Sequence, residues 1–157
     1  MLKSKEIKTF LWFDGQAEEA ARFYTSIFKS GKVGTTTRYP EGGPGPVGSV
    51  MTVEFELDGH VFVGLNAGPQ FKFNEAVSFA IECETQEEID YYWDKLLAGG
   101  GKPIQCGWLK DKYGVFWQVF PAGIWKLWSN PKTAPGAMQA MLKMVKFDIA
   151  QLREAAK

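Results

Sequence analysis

The run TFLWF at Thr9–Phe13 leads into QAEEAARFYTSIFKSG at Gln16–Gly31, and the same order returns as SFAIEC at Ser78–Cys83 and TQEEIDYYWDKLLAGGG at Thr85–Gly101. In each case a short apolar stretch precedes a segment whose apolar side chains share one helical face. The first face carries Ala17, Ala20, Ala21, Tyr24, Ile27 and Phe28, and the second carries Ile89, Tyr92, Trp93, Leu96 and Leu97. Gly31 predicts the end of the first helix. Thr85 with Glu88 three residues on is a capping box, and Gly99 to Gly101 end the second helix. Strand-like pieces follow each helix: Lys32 to Tyr39, Ser49 to Leu57 and His60 to Asn66, then shorter ones around Pro103, Gly107 to Lys110 and Val115 to Phe120. Asp58-Gly59 is a two-residue hairpin signal, and Tyr113-Gly114 stands in the matching place. Aligning these turns sets Val61-Phe62-Val63-Gly64-Leu65 against Val115-Phe116-Trp117-Gln118-Val119. Each half therefore predicts strand, helix, strand, strand, strand.

Ala67 to Asn74 is a short connector, and Pro40 to Gly48 (PEGGPGPVG) is a loop between two strands. Beyond Pro121 the plan ends. Pro131 and Pro135 bracket a predicted loop, followed by a helical face of Met138, Met141, Leu142 and Val145 and by a turn capped by Asp148 that carries Ile149 and Leu152. A tail this short needs the body or a partner subunit to pack on.

The 157 residues are 45% hydrophobic and 23% charged, a composition that excludes disordered and fibrous chains. Eighteen basic side chains balance 18 acidic ones, so no net charge draws the chain to nucleic acid or to anionic lipid. Lys3, Lys5 and Lys8 alternate with other residue types and read as solvated surface. No stretch reaches the ~18 apolar residues of a membrane span, and MLKSKEIKTF lacks the apolar run of a signal peptide. The two cysteines, Cys83 and Cys106, have neither metal-finger nor disulfide spacing, which suits a reducing cytoplasm. With His60 as the single histidine, a histidine-rich metal cage is excluded.

A tandem βαβββ plan resembles the vicinal oxygen chelate superfamily, which includes glyoxalase I, extradiol dioxygenases and bleomycin-resistance proteins. The segments LWFDGQAEEAARFY, ELDGHVFVGLNAGPQFKF, FAIECETQEEID and QCGWLKDKYGVFWQVFP are similar to its PhnB-like branch, often labelled 3-demethylubiquinone-9 3-methyltransferase. The resemblance implies an α+β fold of one domain, residues 1–157. It would hold tandem modules at 5–67 and 75–121 that form a cupped mixed sheet, with a helical extension at 122–157. It also implies a homodimer.

In such a cup one side of each strand meets helices and the other lines a pocket. The expected inward sets are Lys8, Phe10 and Trp12; Phe62, Gly64 and Asn66; Ser78, Ala80 and Glu82; and Phe116, Gln118 and Phe120. Metal-dependent members place a ligand on each of four inner strands, which the resemblance carries to Lys8, Gly64, Ser78 and Gln118. None is a histidine or carboxylate, so no metal and no other cofactor is expected. His60, beside the turn, reads as solvated.

Gly43-Pro44-Gly45-Pro46-Val47-Gly48 is formally G-x-G-x-x-G, yet a strand follows it, so it reads as a hairpin loop and not as a nucleotide-binding turn. The expected ligand-binding residues are Trp12, Asn66, Ser78, Cys106, Trp108 and Gln118: aromatic walls with a few amides suit a flat organic molecule. Trp12 and Trp108 serve equally as core, and Asn66 equally as a turn cap. Cys106 is either a reactive thiol near Lys110 and Lys112 or a packing residue, and Glu82 either a pocket acid or base or a solvated carboxylate. The leading functional expectation is a metal-free protein that binds a small molecule. An enzyme using Glu82 or Cys106 for proton chemistry, and the methyl transfer named in the family label, are the alternatives.

Overall fold

Alternating apolar and polar side chains put one side of a strand against a helix and leave the other side open. The computed structural model describes residues 6–157, so Lys3 and Lys5 lie outside the described residues. The chain divides after Lys72 into two units.

The first unit runs β1 (Thr9–Phe13), α1 (Ala17–Ile27), β2 (Lys32–Arg38), β3 (Val50–Leu57) and β4 (His60–Asn66). Its sheet has the order β1-β4-β3-β2, with β1 and β4 parallel and the other pairs antiparallel. Asp58 and Gly59 both take positive φ, 46° and 82°, as the predicted tight hairpin requires. The predicted face of α1 is buried on the sheet, where Tyr24 stacks on Phe55 at 5.8 Å and Phe55 on Phe62 at 5.2 Å.

The second unit repeats the plan: β5 (Phe79–Cys83), α2 (Gln86–Leu97), β6 (Lys102–Pro103), β7 (Trp108–Lys110) and β8 (Phe116–Pro121), in the order β5-β8-β7-β6. The Thr85 cap forms at α2, with Glu88 reaching back one residue beyond it. Thr85 Oγ1 accepts from the Glu88 amide at 3.2 Å, while the Glu88 carboxylate accepts from the Glu84 amide at 2.7 Å. Ile89, Trp93 and Leu96 are buried beneath it. The turn between β7 and β8 is built around Asp111, a buried carboxylate. Its Oδ1 accepts from the Tyr113 and Val115 amides at 2.9 and 3.0 Å, and its Oδ2 from Trp117 Nε1 at 2.9 Å.

The C-terminal segment departs from expectation in three respects. A helix not predicted, α3 (Ile124–Ser129), precedes the others; it spans six residues, too few for apolar periodicity to register. Pro135 does not bracket a loop but lies in the first turn of α4 (Ala134–Met141), where a missing N–H removes no helical bond. The face of Met138, Met141, Leu142 and Val145 does not pack as one surface. The helix ends at Met141 and buries Ala137, and Met138, Leu142 and Val145 stay exposed. The last helix, α5 (Ile149–Ala155), is capped as predicted, with Asp148 Oδ1 accepting from the Gln151 amide at 2.8 Å and Ile149 and Leu152 buried.

Hydrogen bonds hold this segment to the second module, and Lys146 adds an ion pair to Asp90 at 2.6 Å. Gln86 donates through Nε2 to the Phe147 carbonyl at 3.0 Å and accepts through Oε1 from the Ile149 amide at 2.9 Å. The Cys106 and Gly107 amides donate to the Met144 and Val145 carbonyls at 2.9 and 2.8 Å.

Candidate functional site

Strand register decides which side chains reach the open faces. In β1 and β4, Thr9 stands beside Phe62, Leu11 beside Gly64 and Phe13 beside Asn66. Leu11 and Phe13 are buried on the α1 side, so Phe62, Gly64 and Asn66 face the helix as well. A Cβ added at Gly64 would lie 3.0 Å from that of Ala17, and Asn66 Oδ1 accepts from the Ala17 amide at 2.9 Å. This reverses the expected inward set of Phe62, Gly64 and Asn66. Superposing Gly59 on Gly114 sets His60 against Val115, so Val63, not Gly64, matches Gln118. The open side of β4 carries Val61, Val63 and Leu65, opposite Glu56, Glu54 and Thr52 of β3.

On β1 the expected set does lie on that open side. Phe10 is exposed, and Trp12 donates from Nε1 to the Gly68 carbonyl at 2.8 Å while meeting Phe71 edge-on at 4.8 Å. Lys8 donates to Glu54 at 2.6 Å, a bond that raises the lysine pKa above its ordinary value. Asn66 instead works as a brace, since its Nδ2 also donates to the Val50 carbonyl at 3.1 Å. It borders a recess of about 570 Å³ shared with Asp14, Glu18, Tyr39, Ser49 and Gln70.

The second sheet follows the predicted sides throughout. Trp117 and Val119 are buried on the side of Phe79, Ile81 and Cys83, whereas Ala80 and Glu82 stand beside Gln118 and Phe120 on the other. Trp108 stands opposite Gln118, and Gln118 Nε2 donates to Ser78 Oγ at 2.7 Å. Ser78, Gln118 and Trp108 thus form one row across the open face. Glu82 lies along the same face and accepts from Trp125 Nε1 of α3 at 3.1 Å. Trp125 was not anticipated, because its helix was not; the signal was the IWKLWS spacing that places two indoles three residues apart.

Cys106 does not join the row. It takes the left-handed conformation at φ 58°, and its Sγ is 3.5 Å from the Met141 carbonyl, toward the C-terminal segment. Cys83 is buried behind the sheet, where desolvation, and secondarily Glu88, push its thiol from 9.0 up to about 12. Because the folded pKa is raised, this group stabilises the fold fully below pH 9 and loses that contribution as pH rises toward 12. We expect iodoacetamide at pH 8.5 to leave Cys83 unmodified in native protein and to alkylate it after urea unfolding, as peptide mass mapping would read. Native labelling of Cys83 would contradict that burial.

The metal-ligand positions, corrected for register, are Lys8, Val63, Ser78 and Gln118. An ammonium bonded to Glu54, a hydrocarbon, and a hydroxyl bonded to an amide do not fit a divalent cation. Among the described residues no three His, Cys, Asp or Glu side chains come together. His60 sits beside its turn, sharing a 2.9 Å hydrogen bond between Nε2 and Thr9 Oγ1. The loop from Gly43 to Gly48 leads into β3, with no helix N-terminus behind it. Among the described residues no helix is long and apolar enough to cross a membrane.

Residues 5–120 match the profile of the family described as 3-demethylubiquinone-9 3-methyltransferase. Among solved structures, a PhnB protein from Bacillus cereus is 41% identical, with a TM-score of 0.67 over 75% of this chain and 100% of that one. A protein from Pseudomonas aeruginosa shares the fold at 19% identity and a TM-score of 0.60, over 75% of this chain and 98% of that one. FosX, the fosfomycin resistance protein of Listeria monocytogenes, shares the fold at 14% identity and a TM-score of 0.52, over 77% of this chain and 95% of that one. No curated protein matches. Profile, relative and repeated sheet topology agree: the chain belongs to the 3-demethylubiquinone-9 3-methyltransferase family, within the vicinal oxygen chelate superfamily.

Proposed function

We propose that the chain is a cytoplasmic, homodimeric protein of one domain that binds a small organic molecule without a metal ion. The observation that carries this reading is the Ser78–Gln118 pair, a hydroxyl and an amide joined at 2.7 Å. It lies on an open sheet face beside Trp108, where chelating members of the superfamily place histidine or carboxylate ligands. Neutral donors and acceptors against an aromatic wall orient a flat organic ligand by hydrogen bonds and stacking. Binding is favoured over proton chemistry because the Cys106 thiol turns away from this row and the Glu82 carboxylate is already engaged by Trp125.

A thermal-shift screen of organic compounds, with metal content measured on the same chelator-free sample, tests the reading. We expect a hit that raises Tm, sub-stoichiometric metal, and about tenfold weaker binding in Gln118→Ala, equal to ~1.4 kcal/mol. Light scattering should read twice the 17.6 kDa chain mass. A stoichiometric first-row ion would overturn the metal-free reading, and micromolar binding of S-adenosylmethionine would replace it with the methyl transfer of the family description.

A further inference from the structure

Glu82 ends the open row on an unusual neighbourhood. Its register partner Phe120 meets Trp125 edge-to-face at 5.7 Å and 80°, and Trp125 meets Trp128 at 5.0 Å and 81°. Each ring therefore braces the next at nearly a right angle, and the Trp125 indole, 54% exposed, keeps much of its surface open to solvent. Its N–H is committed to the Glu82 carboxylate at 3.1 Å, which orients the ring and fixes the anion at its edge. No described lysine or arginine pairs with Glu82, and none lies over the Trp125 ring.

Such a corner has one electrostatic character. The π faces of indoles present negative potential, and a carboxylate at the rim adds a full negative charge. An anionic ligand is repelled by both. A neutral apolar ligand gains only from the ring surface, whereas a soft organic cation gains from ring and carboxylate together. Bulky alkylammonium groups suit the place better than metal ions or primary amines, because they lose little hydration on contact with an aromatic face.

We propose that the Glu82–Trp125 corner recognises an alkylated ammonium group, so that the small molecule bound on this face carries an organic cation. This assignment rests on the binding reading above and names its ligand class. The two fail separately. A neutral or anionic compound whose affinity depends on Gln118 but not on Glu82 would remove this inference and leave the reading intact. The absence of any organic ligand for the face would remove both.

The test is a titration of the full chain with tetramethylammonium chloride, followed through the indole N–H resonances of 15N-labelled protein, with the Trp125 signal assigned by its loss in Trp125→Phe. Sodium chloride and the neutral isostere 3,3-dimethylbutan-1-ol serve as controls. The expected result is a saturable shift of the Trp125 signal with tetramethylammonium alone. Affinity should fall about fivefold in Glu82→Gln, read from the Trp125 signal, and by a larger factor in Trp125→Leu, read from the signal of the neighbouring Trp128, each with native spectral dispersion. The proposal is overturned if the signal does not move, if the neutral isostere moves it equally, or if Glu82→Gln binds as tightly as the parent chain.

Discussion

Asp111→Ala is expected to lower stability by about 4 kcal/mol, the largest loss from any single polar side chain described here. The carboxylate is buried and takes hydrogen bonds from the Tyr113 and Val115 amides and from Trp117 Nε1. Alanine leaves these donors without an acceptor in a place water reaches poorly, and each such donor costs ~1–3 kcal/mol. In a chain of this size the loss corresponds to a Tm drop of roughly 10 °C. Asp111→Asn separates the contributions. Its oxygen keeps the two amide bonds, but its NH₂ points at the Trp117 N–H, donor against donor, so about half of the loss remains. Urea unfolding of both variants measures this, and an Asn variant as stable as the parent would refute the role given to Oδ2.

The second large effect is expected at Gly107. Its φ is 77°, a region that costs an L residue roughly 1–2 kcal/mol. A Cβ there would also lie 2.6 Å from the Phe147 ring and 2.6 Å from the Val119 carbonyl oxygen. The ring can yield, but a backbone oxygen inside the sheet cannot. We expect Gly107→Ala to cost about 4 kcal/mol in total and to loosen the segment held by the Met144 and Val145 carbonyls. Gly114→Ala is the control: its φ is 90°, yet the nearest atom to an added Cβ is 3.7 Å away, so only the backbone cost of about 1 kcal/mol applies. Faster amide exchange or proteolysis around residues 142–148 in Gly107→Ala alone would report the release. Equal destabilisation by both variants would mean that backbone strain, without the clash, sets the effect.

Local signals carried most of the fold. The Asp58-Gly59 turn, the Thr85 cap, the Asp148 cap and both helix faces each depend on residues a few positions apart, and all appear as read. Phase on β4 was not legible from alternation alone. Val61, Val63 and Leu65 are as apolar as Phe62 and Gly64, so alternation defines two sides without saying which meets the helix. The contact of Gly64 with Ala17 shows which side that is, and the repeat encodes it: counting from Gly59 and Gly114 pairs Val63 with Gln118, whereas pairing Val61 with Val115 slips by one residue and inverts the strand. On β8 the one polar residue, Gln118, marks the open side, so the Ser78–Gln118–Trp108 row was recoverable from parity. The Glu82–Trp125 bond was not, because one partner lies on a six-residue helix whose existence depends on packing.

In each sheet the last strand of the module inserts between the first strand and the hairpin partner, so Thr9 waits for Phe62 and Phe79 waits for Trp117. During synthesis neither amphipathic helix has a finished surface to settle on until its module's final strand has left the ribosome. A chain stalled before either strand therefore exposes an unpaired apolar edge, and closing each sheet requires a long loop closure.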